Sequence, residues 1–240
     1  MERQSTIIDK LNLVQINLLR DLFEFRIPVI TWDLDEILSD TQTPVKNEFH
    51  RKTGFDFRDR RIDQWLALAH WAVATDSHVD FDEISKVEAA VWADEDVLMM
   101  ALPNTQMQIY SNMAYDKGIK QAVITTRIPE LGEITLAWLE KQYSWIDKAN
   151  VYIRSKKSSE GGISGDTFKG MKAFEIGSQV HFDDSVSSVA EVLRLSKAGS
   201  ILFPRSLESG KFAGNERVVE LPDMNLWLKL FGLHQDYYVI

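Results

Sequence analysis

From Pro103 onward the chain alternates between short β-branched runs and helix-patterned segments. A stripe of Met107, Tyr110 and Ala114 stops at Gly118, and the run "QAVITT" (121–126) follows. A stripe of Ile134, Ala137 and Trp138 leads to "NVYIR" (150–154). A loop, "SKKSSEGGISGDT" (155–167), and a short helix precede "QVHFDD" (179–184). Val186, Val189 and Leu193 then mark a helix before "SILF" (200–203). Strands separated by helices do not pair as hairpins. They line up parallel, with helices over both faces and right-handed crossovers. Ligands of such sheets sit at the carboxyl ends of the strands. An earlier apolar run, "VITWD" (29–33), reads as one more fully buried strand.

Residues 41–103 have a different character. Aromatic and charged residues mix, and β-branched runs vanish. Ile62, Trp65, Leu66, Ala69 and Val73 share one helical face, and Ile84, Val87 and Val91 share another. The predicted fold class is therefore α/β: a three-layer, Rossmann-like parallel sheet with a helical cap inserted after the first strand. The core is expected over 1–40 and 104–240, and the cap over 41–103. A leading amphipathic helix, about 5–24, carries Leu11, Val14, Leu18 and Leu22 on one stripe.

Composition narrows the chemistry. The 240 residues carry a net charge of -9 and are 45% hydrophobic. An acidic chain is poorly suited to coating nucleic acid, which rests on neutralising phosphates with Lys and Arg. One small phosphorylated substrate can still be held by a metal ion and a few local cations. With no Cys, disulfides, thiolate metal sites and Cys nucleophiles are excluded. The five His residues show no metal-ligand spacing. The start, "MERQSTIIDK", lacks the pattern of a secretion signal, and no apolar run has membrane-spanning length. A cytoplasmic protein is the expectation, with no membrane partner and no stable nucleic-acid partner. A second copy of the chain, as a homodimer, is the one protein partner considered.

Polar groups gather at the predicted carboxyl edge. The first strand ends at Asp33-Leu34-Asp35, the second at Thr125-Thr126-Arg127 and the fourth at Asp183-Asp184. A Lys-containing segment, "DTFKGMK" (166–172), precedes that fourth strand. The D-x-D spacing alone is a weak signal. Asp80-Phe81-Asp82 and Asp94-Glu95-Asp96 repeat it without a preceding strand, and read as solvated helix or loop acids. Two acidic clusters at the ends of buried strands are another matter. They repel one another, and burying them calls for a cation or raised pKa values. Clustered oxygen ligands suit a hard ion, and magnesium binds through one or two carboxylates plus substrate phosphate.

The order D-x-D, hydrophobic-Thr, Lys, Asp-Asp over residues 29–203 resembles the haloacid-dehalogenase-like phosphatase superfamily. The insertion after the first strand looks like that superfamily's cap. "EFHRKTGFDFRDRRIDQW", "ITTRIPELGEITLAWLEK" and "HFDDS" look like its 5'(3')-deoxyribonucleotidase branch. The resemblance implies a magnesium-dependent phosphomonoesterase acting on (deoxy)nucleoside monophosphates. It implies Asp33 as nucleophile and metal ligand, and Asp35 as general acid and base, its backbone carbonyl touching the metal. It implies Thr125 as a phosphoryl contact, Asp184 as a direct metal ligand, and Asp183 close by or acting through water. Lys169 fits the family's lysine, with Lys172 as the alternative. Lys156 and Lys157 sit too early and read as loop charges.

Thr126 and Arg127 are candidate substrate contacts, though Arg127 serves equally as a partner for Glu130 or another acid. Phe49, Phe55, Trp65 and Trp71 are candidates for a base-stacking pocket, and serve equally as the cap's own core. Glu36 stands where many members have Gly, and Trp32 before the nucleophile is bulky. Two alternatives accompany this reading. One is a polynucleotide 3'-phosphatase-like enzyme, without a kinase half because no G-x-x-x-x-G-K-[ST] loop is present. The other is a catalytically idle binding protein on the same scaffold.

Overall fold

The computed structural model describes residues 11–155, 162–204 and 210–238, with side chains to residue 232. Among the described residues there are eight strands: β1 (Val29–Trp32), β2 (Ser39–Asp40), β3 (Leu102–Pro103), β4 (Lys120–Thr125), β5 (Val151–Ile153), β6 (Val180–Asp183), β7 (Gly199–Leu202) and β8 (Val218–Glu220). Its α-helices are α1 (Leu13–Phe23), α2 (Gln42–Thr53), α3 (Ala67–Thr75), α4 (Phe81–Trp92), α5 (Glu95–Met99), α6 (Thr105–Asp116), α7 (Gly132–Gln142), α8 (Gly165–Ile176), α9 (Val186–Leu195) and α10 (Met224–Tyr238). Among the described residues no helix is long and apolar enough to cross a membrane.

Six strands form one parallel sheet in the order β5-β4-β1-β6-β7-β8. The α/β class expected from the sequence is the class observed. The chain moves outward from β1 through β4 to β5, then crosses back to place β6 on the other side of β1. The order reverses between β1 and β6, and the crevice above such a reversal is where doubly wound sheets take ligands.

Strand alternation assigns each side chain to a layer. Ile30, Trp32, Val180 and Phe182 share a cluster with Leu22 of α1, Tyr110 of α6, Trp138 of α7 and Trp227 of α10. Trp32 lies against Phe182, with ring centroids 4.4 Å apart. Ile124 of β4 joins Phe168 and Ala173 of α8 and Val192 of α9 in another cluster. Each large apolar side chain so buried stabilises the fold by about 1.5–3 kcal/mol. Helices α8 and α9 cross closely at Gly170. A Cβ there would lie 2.6 Å from the Glu191 carbonyl oxygen.

Residues 41–101 leave and return through an antiparallel ribbon in which Ser39 faces Pro103 and Asp40 faces Leu102. They build their own apolar cluster, including Val45, Phe49, Phe57, Leu68, Ala72, Ile84 and Val91. Asp80 and Asp94, from the two other D-x-D spacings, are N-caps of α4 and α5, as their solvated reading expects.

Several expectations need correction. Val14 is 45% exposed, and the inward face of α1 is Gln15, Leu19, Leu22 and Phe23. The capping box of Asn12 and Gln15 starts that helix, and Gln15 Nε2 donates inward to the Val218 carbonyl at 2.6 Å. Residues 1–10 of the expected leading helix lie outside the described residues, as do Lys156 and Lys157. The face drawn through Ile62 and Trp65 is not one helix, because α3 begins only at Ala67 after Leu66 in a left-handed conformation. The helix before β6 is twelve residues, starting at Gly165 under a Ser164 cap, so Lys169 lies inside it. Strands β2, β3 and β8 and helix α10 were not foreseen.

Candidate active site

The site begins with register. Thr31 of β1 faces His181 of β6, and Trp32 faces Phe182. The Asp33 N–H donates to the Phe182 carbonyl at 2.9 Å, which carries the pairing one residue further. Asp33 and Asp183 thus emerge side by side, on the face covered by α8. Oxygens of Asp33, Asp183 and Asp184 all lie within 4.8 Å of one another, and all three residues are buried.

Lys169 lies on α8 and is 3% exposed. Its Nζ is 2.9 Å from Asp33 Oδ1 and 2.9 Å from Asp183 Oδ2. Burial disfavours the ammonium, but the Asp183 and Asp33 charges outweigh burial and raise its pKa. Asp33 is pushed well above the usual carboxylate range, first by burial and then by Asp183, Asp184 and Asp35, with Lys169 opposing. Asp183 goes the other way: burial raises it, but Lys169 and His181 bring it lower. Three carboxylates and one ammonium leave negative charge over. The all-oxygen donor set, buried and in excess of its lysine, fits a hard divalent cation.

Lys172, the alternative lysine, pairs with Glu175 and lies over the Tyr152 ring, away from the acids. The carboxylate of Asp35 is not part of the three-acid group. It turns to Arg127, whose Nη2 is 2.6 Å from Oδ1 and whose Nε is 3.2 Å from both oxygens. The Thr41 hydroxyl adds a donor to Oδ1 at 2.7 Å. Burial would raise the Asp35 pKa, but Arg127, Thr41 and Lys169 lower it overall. Two acids one residue apart thus take opposite directions, because one shares a lysine with other acids and the other has an arginine. Arg127 also donates to Thr135 Oγ1 at 3.2 Å. Its guanidinium thus has an acid partner in Asp35, while Arg127 also lines the cavity that opens over the site.

A cavity of about 620 Å³ opens over these groups. Asp33, Asp35, Glu36 and Lys169 line it, with Thr126 and Arg127 beside them. Asp166, Ser185, Ser187 and Ser188 line the core side, and Ile62, Trp65, Ala89, Trp92 and Ala93 the cap side. Thr126 and Trp65 therefore reach the cavity. Trp65 is 64% exposed. Phe49 does not reach it: the side chain is enclosed in the cap's own core, as are Phe55 and Trp71 in part. Thr125 is fully buried, and its hydroxyl oxygen accepts the Arg127 N–H at 3.3 Å.

Glu36 has a structural explanation. Its Oε1 accepts the backbone N–H groups of Thr41 and Gln42 at 3.1 and 2.9 Å, at the start of α2. Its φ is +66°, a left-handed position that favours glycine. Burial first, then Asp184, pushes its pKa up to about 8. Gln42 in turn exchanges two hydrogen bonds with the Ile62 backbone. Arg61 reaches the Phe203 and Pro204 carbonyls at 3.4 and 3.2 Å and lies 4.0 Å from Asp184. The cap segment ending at Trp65 is thereby tied to the sheet edge.

Two residues escaped the sequence reading. Trp92 reaches the cavity on the stripe Ala89, Trp92 and Ala93, whose i, i+3, i+4 spacing was a usable signal. His181 lies beneath the acids, two residues before Asp183 on the same strand face.

No protein-family model matches this sequence, and no curated relative matches it. Solved structures do resemble the fold. A HAD-family hydrolase from Deinococcus radiodurans R1, with bound phosphate and sodium, superposes with a TM-score of 0.55 at 15% identity, over 86% of this chain and 97% of that one. A haloacid dehalogenase-like family hydrolase from Streptococcus pneumoniae gives a TM-score of 0.55 at 9% identity, over 85% and 98%. The fold is thus shared with HAD-type hydrolases across nearly the whole length of those proteins.

Proposed function

We propose that this chain is a metal-dependent phosphomonoesterase that works through an aspartyl-phosphate on Asp33, with nucleoside monophosphates as its substrates. The observation that carries this reading is the buried group of Asp33, Asp183 and Asp184 joined by Lys169 at the β1/β6 crevice. Magnesium is the proposed ion, with Asp33 and Asp184 as side-chain ligands, Asp183 beside them and Asp35 through its backbone carbonyl. When bound, it would neutralise phosphoryl charge and leave Asp33 ionised for attack.

The chain's own groups then divide the work. Asp33 attacks phosphorus, and Lys169 stabilises the charge on the transferring group from a fixed position. Thr126 lines the cavity at the β4 end of the same edge and is the proposed phosphoryl contact there, with Thr125 enclosed beside it. Asp35, paired with Arg127, rests as a carboxylate. That state suits the second half of the reaction, in which a water is activated against the aspartyl-phosphate. Protonating the leaving oxygen in the first half requires the Arg127 contact to loosen.

The cavity walls support a nucleotide. The cap side offers an apolar wall with two indoles, suited to a flat base, and the core side offers hydroxyls and Asp166 for a sugar. Among the described residues, Lys169 and Arg127 are the basic residues lining the cavity, and both are paired with acids. A second phosphate or a polynucleotide backbone would meet uncompensated negative charge there.

The test is a turnover screen in magnesium and in chelator. It compares nucleoside 5'-monophosphates, a sugar bisphosphate and a 3'-phosphorylated oligonucleotide. Magnesium-dependent release of phosphate from the monophosphates is expected to dominate. Preference for the oligonucleotide would overturn the substrate assignment, and no turnover of any ester would overturn the enzyme assignment.

A further inference from the structure

We infer that His181 is a positioning residue: a buried hydrogen-bond relay, Ser178–Thr31–His181–Asp183, holds Asp183 as the fixed acceptor for Lys169 and so places Lys169 against Asp33. The inference rests on the reading of that cluster as the reacting centre, but its geometry stands independently.

His181 is fully buried, as is Thr31, which faces it across the strand pair. Its Nε2 lies 2.9 Å from Asp183 Oδ2, and its Nδ1 lies 3.0 Å from Thr31 Oγ1. Thr31 Oγ1 is 2.8 Å from Ser178 Oγ, and Ser178 Oγ also lies 3.0 Å from the Val180 carbonyl oxygen. A carboxylate beside an ammonium can only accept, so the proton of the Asp183 contact belongs to Nε2. Whichever way the hydroxyls of Thr31 and Ser178 are turned, that donation is kept.

Asp183 is held at three points. Oδ2 accepts from His181 and from Lys169, and Oδ1 accepts the Ser185 N–H at 2.9 Å. Rotating the carboxylate breaks at least one of these contacts. Lys169 sits 2.9 Å from both Asp183 and Asp33, so a shift of Asp183 is passed to the proposed nucleophile. A buried histidine can be satisfied by any acceptor within reach. This one directs its Nε2 at an acid of the metal-fitting group. Groups that orient metal ligands in this way are worth about 10–100-fold in metal affinity or activity.

Two substitutions separate donation from packing. In His181→Gln the amide nitrogen reaches the place of Nε2 and can donate to Asp183. In His181→Asn it reaches only the place of Nδ1. Magnesium binding to the substrate-free protein, measured by calorimetry, is expected to weaken about 10–100-fold in His181→Asn, with kcat falling and KM steady. His181→Gln is expected to restore both to within about threefold of wild type. The wild-type protein also gives a direct signature. Long-range proton–nitrogen NMR is expected to show a proton on His181 Nε2, protected from exchange. An unprotonated Nε2, or His181→Asn with wild-type magnesium affinity and kcat, would overturn the proposal. If His181→Asn does not fold, the NMR spectrum decides. A wild-type protein that hydrolyses no ester, yet shows the protected Nε2 proton, would sink the phosphatase reading while leaving the relay standing.

Discussion

The sheet edge and the cap wall face the same cavity and are built by opposite means. At the edge, charged groups are buried and fixed by strand register: Asp33 beside Asp183, and Lys169 between them at 2.9 Å from each. On the cap wall, apolar groups meet the cavity from a helix stripe and a loop, and Trp65 is 64% exposed. Chemistry that depends on sub-ångström placement sits on the rigid element. In the proposed function, recognition, which tolerates adjustment, falls to the segment reached through a two-stranded ribbon. The contrast predicts that edge substitutions change kcat and cap substitutions change KM.

The largest effect is expected for Asp33→Asn. Loss of the proposed nucleophile should lower kcat by about 10⁴-fold or more. The melting temperature of the metal-free protein should stay level or rise, because the change relieves repulsion with Asp183 and Asp184. A large drop in melting temperature without metal would count against the acid cluster. Next, Lys169→Met should cost about 10³-fold in kcat. It should also destabilise the metal-free protein, since it leaves Asp33 and Asp183 buried without their shared cation.

Gly170→Ala tests the crossing that carries Lys169. The added Cβ would press on the Glu191 backbone, and overpacking of this kind costs about 1–3 kcal/mol. Chemical denaturation reads it out, and an unchanged midpoint would show that α8 need not lie so close to α9. Trp65→Ala should raise KM for nucleoside monophosphates about tenfold, which is about 1.4 kcal/mol, with kcat and stability nearly unchanged. A matching fall in kcat would erase the division between edge and wall.

A pH-dependent effect is expected at Glu36. Its folded pKa of about 8 exceeds the ordinary value of 4.5, so the folded state binds the extra proton between those values. Its contribution to stability is therefore full below about pH 4.5 and is lost as pH rises through 8. Glu36→Gln keeps an acceptor for the Thr41 and Gln42 N–H groups and does not ionise. Its melting temperature without metal, relative to wild type, should climb as the pH is raised from 5 to 9. A flat difference across that range would mean that Glu36 is ionised throughout.

The same contrast explains what could be read from the sequence. The parallel sheet was legible because its strands are short apolar runs between helical stripes. The grouping of Asp33 with Asp183-Asp184 followed from where those strands end, and Lys169 from the resemblance of its segment to the family pattern. The cap was legible as a helical block and illegible in detail. Phe49 and Trp65 are both large aromatics in one insertion, and only the path of residues 54–66 decides that one is enclosed and the other faces the cavity. Arg127 and Asp35 lie 92 positions apart, so their pairing depends on β1 and β4 being neighbours. His181 showed no ligand spacing because its geometry makes it a donor to an acid rather than a ligand. Strand β8 is three residues long, too little pattern to separate from loop, whereas the buried stripe of Leu226, Trp227, Leu230 and Phe231 in α10 was a usable signal.

The central claim is that Asp33 takes the phosphoryl group. Rapid quenching of the protein with a nucleoside monophosphate and magnesium, followed by borohydride reduction and peptide mass mapping, tests it most directly. The expected result is reductive modification at Asp33, absent in chelator and absent in Asp33→Asn. Turnover with no modification at Asp33, or with modification at another acid, would contradict it.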